Sequence, residues 1–286
     1  MAISEKITLL GAGLYQNIPD VLTLKAIPTA SELDYVGAED FQATMLDVIL
    51  PRAVEEQCNF RELLEIDFHW VCRCLRILNY GPYYTTNSIY CSECGAVSHG
   101  EYQVNLNSIN VLPLPEKFSN SVVISRNEFI DFKKDITLHL PTIQDAINAA
   151  KDPFFKDSHG DINIVMSRLC YMISAIGGDN ALPVPEIKRI IQTELSSADF
   201  FVLKTRAREL TDFGLRAGGS TMCPKCQSRD ATFVALVDDR FFRPTLGDLR
   251  AWKADRDAQR RSESTTGVGE SGIRNENLLP NAPTKV

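Results

Sequence analysis

Tyr90-Cys91-Ser92-Glu93-Cys94-Gly95 and, far downstream, Met222-Cys223-Pro224-Lys225-Cys226-Gln227 are two C-x-x-C turns of one kind. Each aims two thiols at a single point. Gly95 suits the first turn because it tolerates positive φ, and Pro224 fixes φ inside the second. Both turns lead into strand-like sequence, Glu101-Tyr-Gln-Val-Asn-Leu106 and Ala231-Thr-Phe-Val-Ala-Leu-Val237. Two such turns, each feeding a strand, are the halves of a zinc ribbon. Together they supply the four protein ligands of a closed, tetrahedral structural site: Cys91, Cys94, Cys223 and Cys226.

The separation is unusual. Between Cys94 and Cys223 lie 223 − 94 − 1 = 128 residues, where a compact ribbon has roughly fifteen to twenty. The reading is therefore a ribbon split by an inserted domain, with the metal holding the ends of the insertion together. Loop closure grows only logarithmically with length, so the split is tolerable. Other readings stay open at this point. Each pair could belong to a separate site, His99 could replace a thiolate, or a pair could be redox-active, although redox pairs usually sit where a strand meets a helix. Cys72 and Cys74 lie in a helical pattern, where i and i+2 face different ways. With Cys170 they read as small core residues.

Working outward, Val21-Leu-Thr-Leu24 reads as a strand, and Thr29 with Glu32 as a capping box opening a helix. The phrase recurs at Ile136-Thr-Leu-His-Leu140 with Pro141-Thr142, either a duplicated unit or chance. Phe41, Met45, Val48 and Ile49 predict a helix ending before Pro51. Leu64, Phe68, Val71, Leu75 and Leu78 predict a longer one, from about Phe60 to Asn79, stopped by Gly81-Pro82. After Pro113 and Pro115, strands are predicted at Ser121–Ile124 and Ile136–Leu140. Helices then follow at Thr142–Lys151, Asp161–Ile176, Pro185–Leu195 and Ser197–Leu210. Phe241-Phe242, flanked by Arg240 and Arg243, is either an anchor for a partner or a plug for the chain's own core.

The expected fold class is α+β: a zinc ribbon split by an inserted, mainly helical domain, with extended termini. The expected parts are an N-terminal arm and strand (1–36), helices with the first half-ribbon (37–112), the insertion (113–215), the second half-ribbon (216–250) and a tail (251–286). From Asp255 onward no aromatic residue occurs and polar residues dominate, so the tail reads as flexible or ordered by a partner.

The chain has 286 residues, 44% of them apolar, and a net charge of −7. The acidic balance argues against a generally basic nucleic-acid binder, although Lys204-Thr-Arg206-Ala-Arg208 is a local basic cluster. No apolar run is long enough for a membrane helix, and the N-terminus lacks the marks of an export signal. Eight cysteines without such a signal read as reduced thiols plus a metal site. Gly11-Ala-Gly13 is too little for a nucleotide loop. His69, His99, His139 and His159 are scattered, and the acidic turn around His159 is a weak cation candidate. No nucleophile, base and oxyanion donor assemble, so no enzymatic activity is expected.

Leu64-Glu-Ile-Asp-Phe68, Leu75-Arg-Ile-Leu-Asn-Tyr-Gly-Pro82, the C-x-x-C-G turn at Cys91 with its strand to Leu106, and Ile136-Thr-Leu-His-Leu-Pro-Thr142 together resemble baseplate proteins of contractile-tailed bacteriophages. The closest likeness is to the T-even-type baseplate hub assembly family. Cys223-Pro-Lys-Cys226 with Phe241-Phe-Arg-Pro244 resembles the ending of longer members. The resemblance spans roughly residues 20–245. It implies a structural or assembly role in the virion baseplate, reached by way of the host cytoplasm. Several copies would contact hub, wedge or tail-tube proteins, with no membrane or nucleic-acid partner. It carries Cys91, Cys94, Cys223 and Cys226 over as structural Zn2+ ligands and carries over no catalytic residue. The competing expectation is a zinc-ribbon regulator that binds nucleic acid.

Overall fold

The structure, a computed structural model, describes residues 4–27, 38, 40–157 and 159–266. The described chain is mixed helix and sheet, 41% and 25%, which makes the class α+β. The capping box expected at Thr29 and Glu32 lies outside the described residues.

A hairpin opens the chain. Strand β1 (Ser4–Thr8) pairs antiparallel with β2 (Val21–Lys25), Ser4 opposite Lys25. Helix α1 (residues 41–53) is capped by the Asp40 carboxylate, which accepts from Ala43 N. It widens to a π turn over Met45–Ile49 and runs on through Pro51 to Ala53, beyond the end expected from sequence. The widened turn bonds Leu50 N–H to the Met45 carbonyl ahead of the proline, which has no N–H to offer.

Helix α2 (Glu65–Tyr80) is the long apolar helix; it ends where expected, at Gly81 with φ +77°, but starts later than the expected Phe60, because Phe60–Glu62 form a separate 3-10 turn closed by extended Leu63 and Leu64. It is buried nearly all round, Trp70, Cys72 and Cys74 included. Its Asp67 carboxylate accepts from the backbone N–H groups of Leu10 and Gly11 and from the Tyr15 hydroxyl. The Gly11-Ala-Gly13 turn thus wraps an internal carboxylate, and a Cβ at Gly11 would sit 2.8 Å from it.

A five-stranded sheet follows, ordered β4-β3-β10-β9-β5. Its strands are β3 (Tyr83–Cys91), β4 (Val97–Asn105), β5 (Ile109–Leu112), β9 (Gly214–Thr221) and β10 (Ala231–Val234). All neighbouring pairs are antiparallel. Two strands from after residue 213 lie between strands from before residue 113, so the sheet is sewn together by both ends of the intervening segment. Gly218 and Gly219 allow this close seam. A Cβ at Gly218 would lie 1.9 Å from the Phe233 carbonyl oxygen, and one at Gly219 would lie 2.7 Å from Ser108 Oγ.

The intervening segment has its own apolar cluster, centred on Ile136, Leu138, Cys170, Ile190 and Leu203. A three-stranded antiparallel sheet, β6 (Ser121–Ile124), β7 (Ile136–His139) and β8 (Ile173–Ile176), packs with α3 (Ile143–Lys151), α4 (Ile164–Met172), α5 (Val184–Glu194) and α6 (Ser197–Leu210). Thr142 and Asp145 form a full capping box at α3. The helix expected over 161–176 is shorter: it stops at Met172, and Ile173–Ile176 turn extended to pair with β7. β-branched isoleucines at both ends of that stretch favour the strand once a partner edge is present.

The segment after β10 also differs from expectation. Phe241 and Phe242 are buried in the main apolar cluster with Met45, Leu75 and Ile77, which settles them as a core plug. Helix α7 (Leu246–Thr266) then occupies the first part of the segment read as a tail. Thr245 and Asp248 cap it reciprocally, Asp248 N to Thr245 Oγ1 and Thr245 N to Asp248 Oδ2. Trp252 lies over Gly81, where a Cβ would meet its ring at 2.3 Å. Among the described residues, no helix is long and apolar enough to cross a membrane.

Candidate metal centre

The sheet brings the two C-x-x-C turns to one end. Cys91 is the last residue of β3, and Cys94 lies in the turn to β4. Cys223 follows β9, and Cys226 lies in the turn to β10. Cys91 pairs across the sheet with Ala231, which in turn pairs with Thr221.

The two turns have the same backbone plan. Cys91 N–H donates to the Ala96 carbonyl at 2.9 Å, and Cys223 N–H donates to the Ser228 carbonyl at 2.7 Å, a five-residue reach in both. The residue after each second cysteine has positive φ, Gly95 at +65° and Gln227 at +61°. Gln227 is the one non-glycine with positive φ among the described residues. Such a conformation costs about 1–2 kcal/mol for a residue with a Cβ, and the second turn holds it with the Gln227 N–H donating to the Cys223 carbonyl at 3.0 Å.

All four sulfurs lie within 4.8 Å of one another. Cys91 Sγ is 3.6 Å from Cys226 Sγ, and Cys94 Sγ is 3.8 Å from Cys223 Sγ. A tetrahedral thiolate site with metal–sulfur bonds of about 2.3 Å has sulfur–sulfur edges of about 3.8 Å, so the separations suit a metal. They are far too long for disulfides, whose sulfurs stand about 2.05 Å apart. Cys91 and Cys223 are buried beside Ile89 and Ala231, whereas Cys94 and Cys226 face solvent.

The electrostatics suit a cation. Backbone N–H groups of Cys226 and Lys225 point at Cys223 Sγ, at 3.5 and 3.4 Å. They lower its thiol to about 6. The Ser228 N–H favours the Cys226 thiolate in the same manner, yet the crowd of neighbouring thiols, Cys223, Cys91 and Cys94, with some local desolvation, pushes Cys226 up to about 12. One thiolate is readily made, and the next is opposed by like charge. Four together need a positive ion between them.

The site residues expected from sequence are therefore the ones brought together. His99 is not among them. It sits on β4 opposite Ser88, outside the group of four. Cys72, Cys74 and Cys170 are buried, their thiols raised by desolvation, Cys170 to about 12. The acidic turn at Asp157 and Asp161 closes on its own backbone, with Asp157 accepting from the N–H groups of His159 and Asp161.

Sequence reasoning missed a buried centre at the end of β3 opposite the cysteines. Arg76 is fully buried and donates to the carbonyls of Phe241 (2.8 Å), Gly81 (2.9 Å) and Tyr83 (2.8 Å). Asp248 of α7 stands 3.9 Å from it. The available signal was Pro244-Thr245-Leu-Gly-Asp248, a third case of the Pro-Thr phrase that precedes a helix. No family model, curated protein or solved structure matches this chain significantly.

Proposed function

We propose that this chain is a structural or assembly component of a contractile phage tail baseplate, at the hub or the hub–wedge connection, and that one zinc ion clamps its split ribbon. The observation that carries the proposal is the convergence of Cys91, Cys94, Cys223 and Cys226 across 128 intervening residues. An all-thiolate tetrahedron selects zinc or iron, and zinc is the structural choice. Bound there, the ion would neutralise the thiolates and fix the sheet from which the inserted unit projects. The protein would serve as a rigid bracket rather than a catalyst.

The baseplate assignment rests on the resemblance, and the fold gives its phrases a common purpose. Arg76 of the Leu75–Pro82 phrase binds the carbonyl of Gly81 within that phrase and the carbonyl of Phe241 in the Phe-Phe-Arg-Pro phrase. Two of the phrases quoted for the likeness are thus tied together by one buried guanidinium. Partners would be hub, wedge or tail-tube proteins, with several copies in a symmetric assembly in the virion, built in the host cytoplasm. A nucleic-acid-binding regulator is the alternative, favoured by the solvent-facing Lys204 and Arg208, which have no ion-pair partner among the described residues.

The test is affinity capture of the tagged full chain from native lysate, with bound proteins identified by mass spectrometry. Recovery with tail-tube, hub or wedge proteins is expected. Recovery with polymerase or nucleic acid, without tail proteins, would overturn the assignment and leave the clamp standing alone.

A further inference from the structure

A cavity of about 550 Å³ lies at the junction between the five-stranded sheet and the inserted unit. That is the size of a ligand pocket, commonly 300–1,000 Å³. Its floor is aliphatic: Leu64, Ile66, Leu140, Leu169, Met172 and Leu215. Val165 stands at its mouth, 54% exposed. The rim is cationic. Arg168 comes from α4, and Lys204 and Arg208 come from successive turns of α6.

These cations are not equivalent. Arg168 pairs with Glu65, the carboxylate on the same rim. Arg206, between Lys204 and Arg208 in sequence, points elsewhere and is held by Glu128 and Glu209. Lys204 touches only the face of Phe200, at 5.9 Å, and neither it nor Arg208 has a carboxylate partner among the described residues. In a chain of net charge −7, two uncompensated cations four residues apart beside an aliphatic trough are complementary to an acidic ligand with an apolar face. Phenylalanine, tyrosine and tryptophan are absent from the lining, and its one aromatic ring, His69, is largely buried, so the trough is a poor platform for stacking bases.

We propose that this trough is the docking site for an acidic-aliphatic peptide segment of a partner protein, leucine-type side chains on its floor and carboxylates on Lys204 and Arg208. Because the trough is walled by α2 and β9 on one side and α4 and α6 on the other, the bound segment would brace the inserted unit against the sheet. The inference does not depend on the baseplate assignment and concerns whichever acidic partner the chain meets.

The test uses the metal-loaded full chain and four fluorescent probes: a peptide alternating leucine and glutamate, one alternating leucine and lysine, one alternating serine and glutamate, and a short oligo-dT. Fluorescein-labelled leucine–glutamate peptide should bind best. The double variant Lys204→Glu/Arg208→Glu should weaken it by about tenfold or more, as reversal of two rim charges requires. Val165→Ser should weaken it independently, without reversing any charge. Dodecanoate should compete only weakly, because one carboxylate cannot span both cations. Equal binding of the leucine–lysine peptide, preference for oligo-dT, displacement by dodecanoate at low concentration, or unaltered affinity in both folded variants would each overturn the proposal.

Discussion

Replacing Arg76 with methionine tests what joins the C-terminal segment to the long helix. The guanidinium is wholly buried and makes three bonds of 2.8–2.9 Å to main-chain carbonyls of Phe241, Gly81 and Tyr83. Methionine retains most of the stem and removes all three. Charge-assisted bonds contribute about 1.5–3 kcal/mol each, but water re-solvates part of what is exposed on relaxation. The removal also takes a cation from beside the Asp248 carboxylate, whose side chain is 2% exposed and which keeps its hydrogen bonds from Thr85 Oγ1 and Thr245 N. Breaking one partner of a buried pair costs about 3–5 kcal/mol, and that is the expected loss. Arg76→Lys should recover little, because an ammonium cannot fork to three carbonyls. Adding Asp248→Asn to Arg76→Met should cost no more than the single change, since it removes the buried charge left without its cation. Urea unfolding provides the assay, followed by tryptophan fluorescence. Trp252 rests on Gly81 and reports release of α7. A loss below about 1 kcal/mol for Arg76→Met, or a strictly additive double variant, would refute this reasoning.

The other predictions concern the seam, a buried acid and the thiols. Gly218→Ala places a Cβ 1.9 Å from the Phe233 carbonyl oxygen. It should destabilise the sheet by about 1–3 kcal/mol and loosen the metal, read by thermal melting and chelator-competition rates. Burial raises the Asp67 carboxyl from 3.8 to about 6 against the opposing pull of Tyr15 and the Leu10 and Gly11 N–H groups. Between those values the folded chain holds a proton that the unfolded chain has released. Wild type should therefore gain stability relative to Asp67→Asn as pH falls from about 6 to about 4, by about 2–3 kcal/mol; parallel urea titrations at the two pH values check the sign. After chelation, iodoacetamide should label the solvent-facing Cys94 and leave Cys72, Cys74 and Cys170 unmodified until unfolding, as peptide mapping would show. Cys91→Ser and Cys223→Ser should each release the metal and lower the melting temperature; retained zinc with unchanged melting would refute the clamp.

The cysteine end was readable from sequence because the turns are local: C-x-x-C spacing, a residue able to take positive φ, and a strand beyond. The long-range fact, that Cys91 and Cys226 meet, followed from ligand number rather than from any pattern in between. The body and end of helix α2 were equally plain, since its apolar stripe and Gly81 stop are written in adjacent residues, but its start was set too early, at Phe60. Ile173–Ile176 was misjudged because an apolar stretch continuing a helical period is ambiguous until the edge of β7 is present to pair with it. Helix α7 was missed for another reason. Its polar composition describes the exposed face, while its attachment depends on Trp252, Asp248 and a distant buried arginine. Phe241-Phe242 had two readings in sequence, and only the arrival of α1 and α2 over the same spot decides for the core.

The central claim is that one zinc ion closes the split sheet. The most direct test is the metal content of full-length protein purified without added metal or chelator, by plasma mass spectrometry, with X-ray absorption at the zinc edge. The account predicts one zinc per chain, four sulfur neighbours at about 2.3 Å, and loss of that zinc in Cys223→Ser. Iron in its place, no metal in a folded chain, or a zinc shell containing nitrogen or oxygen would contradict it.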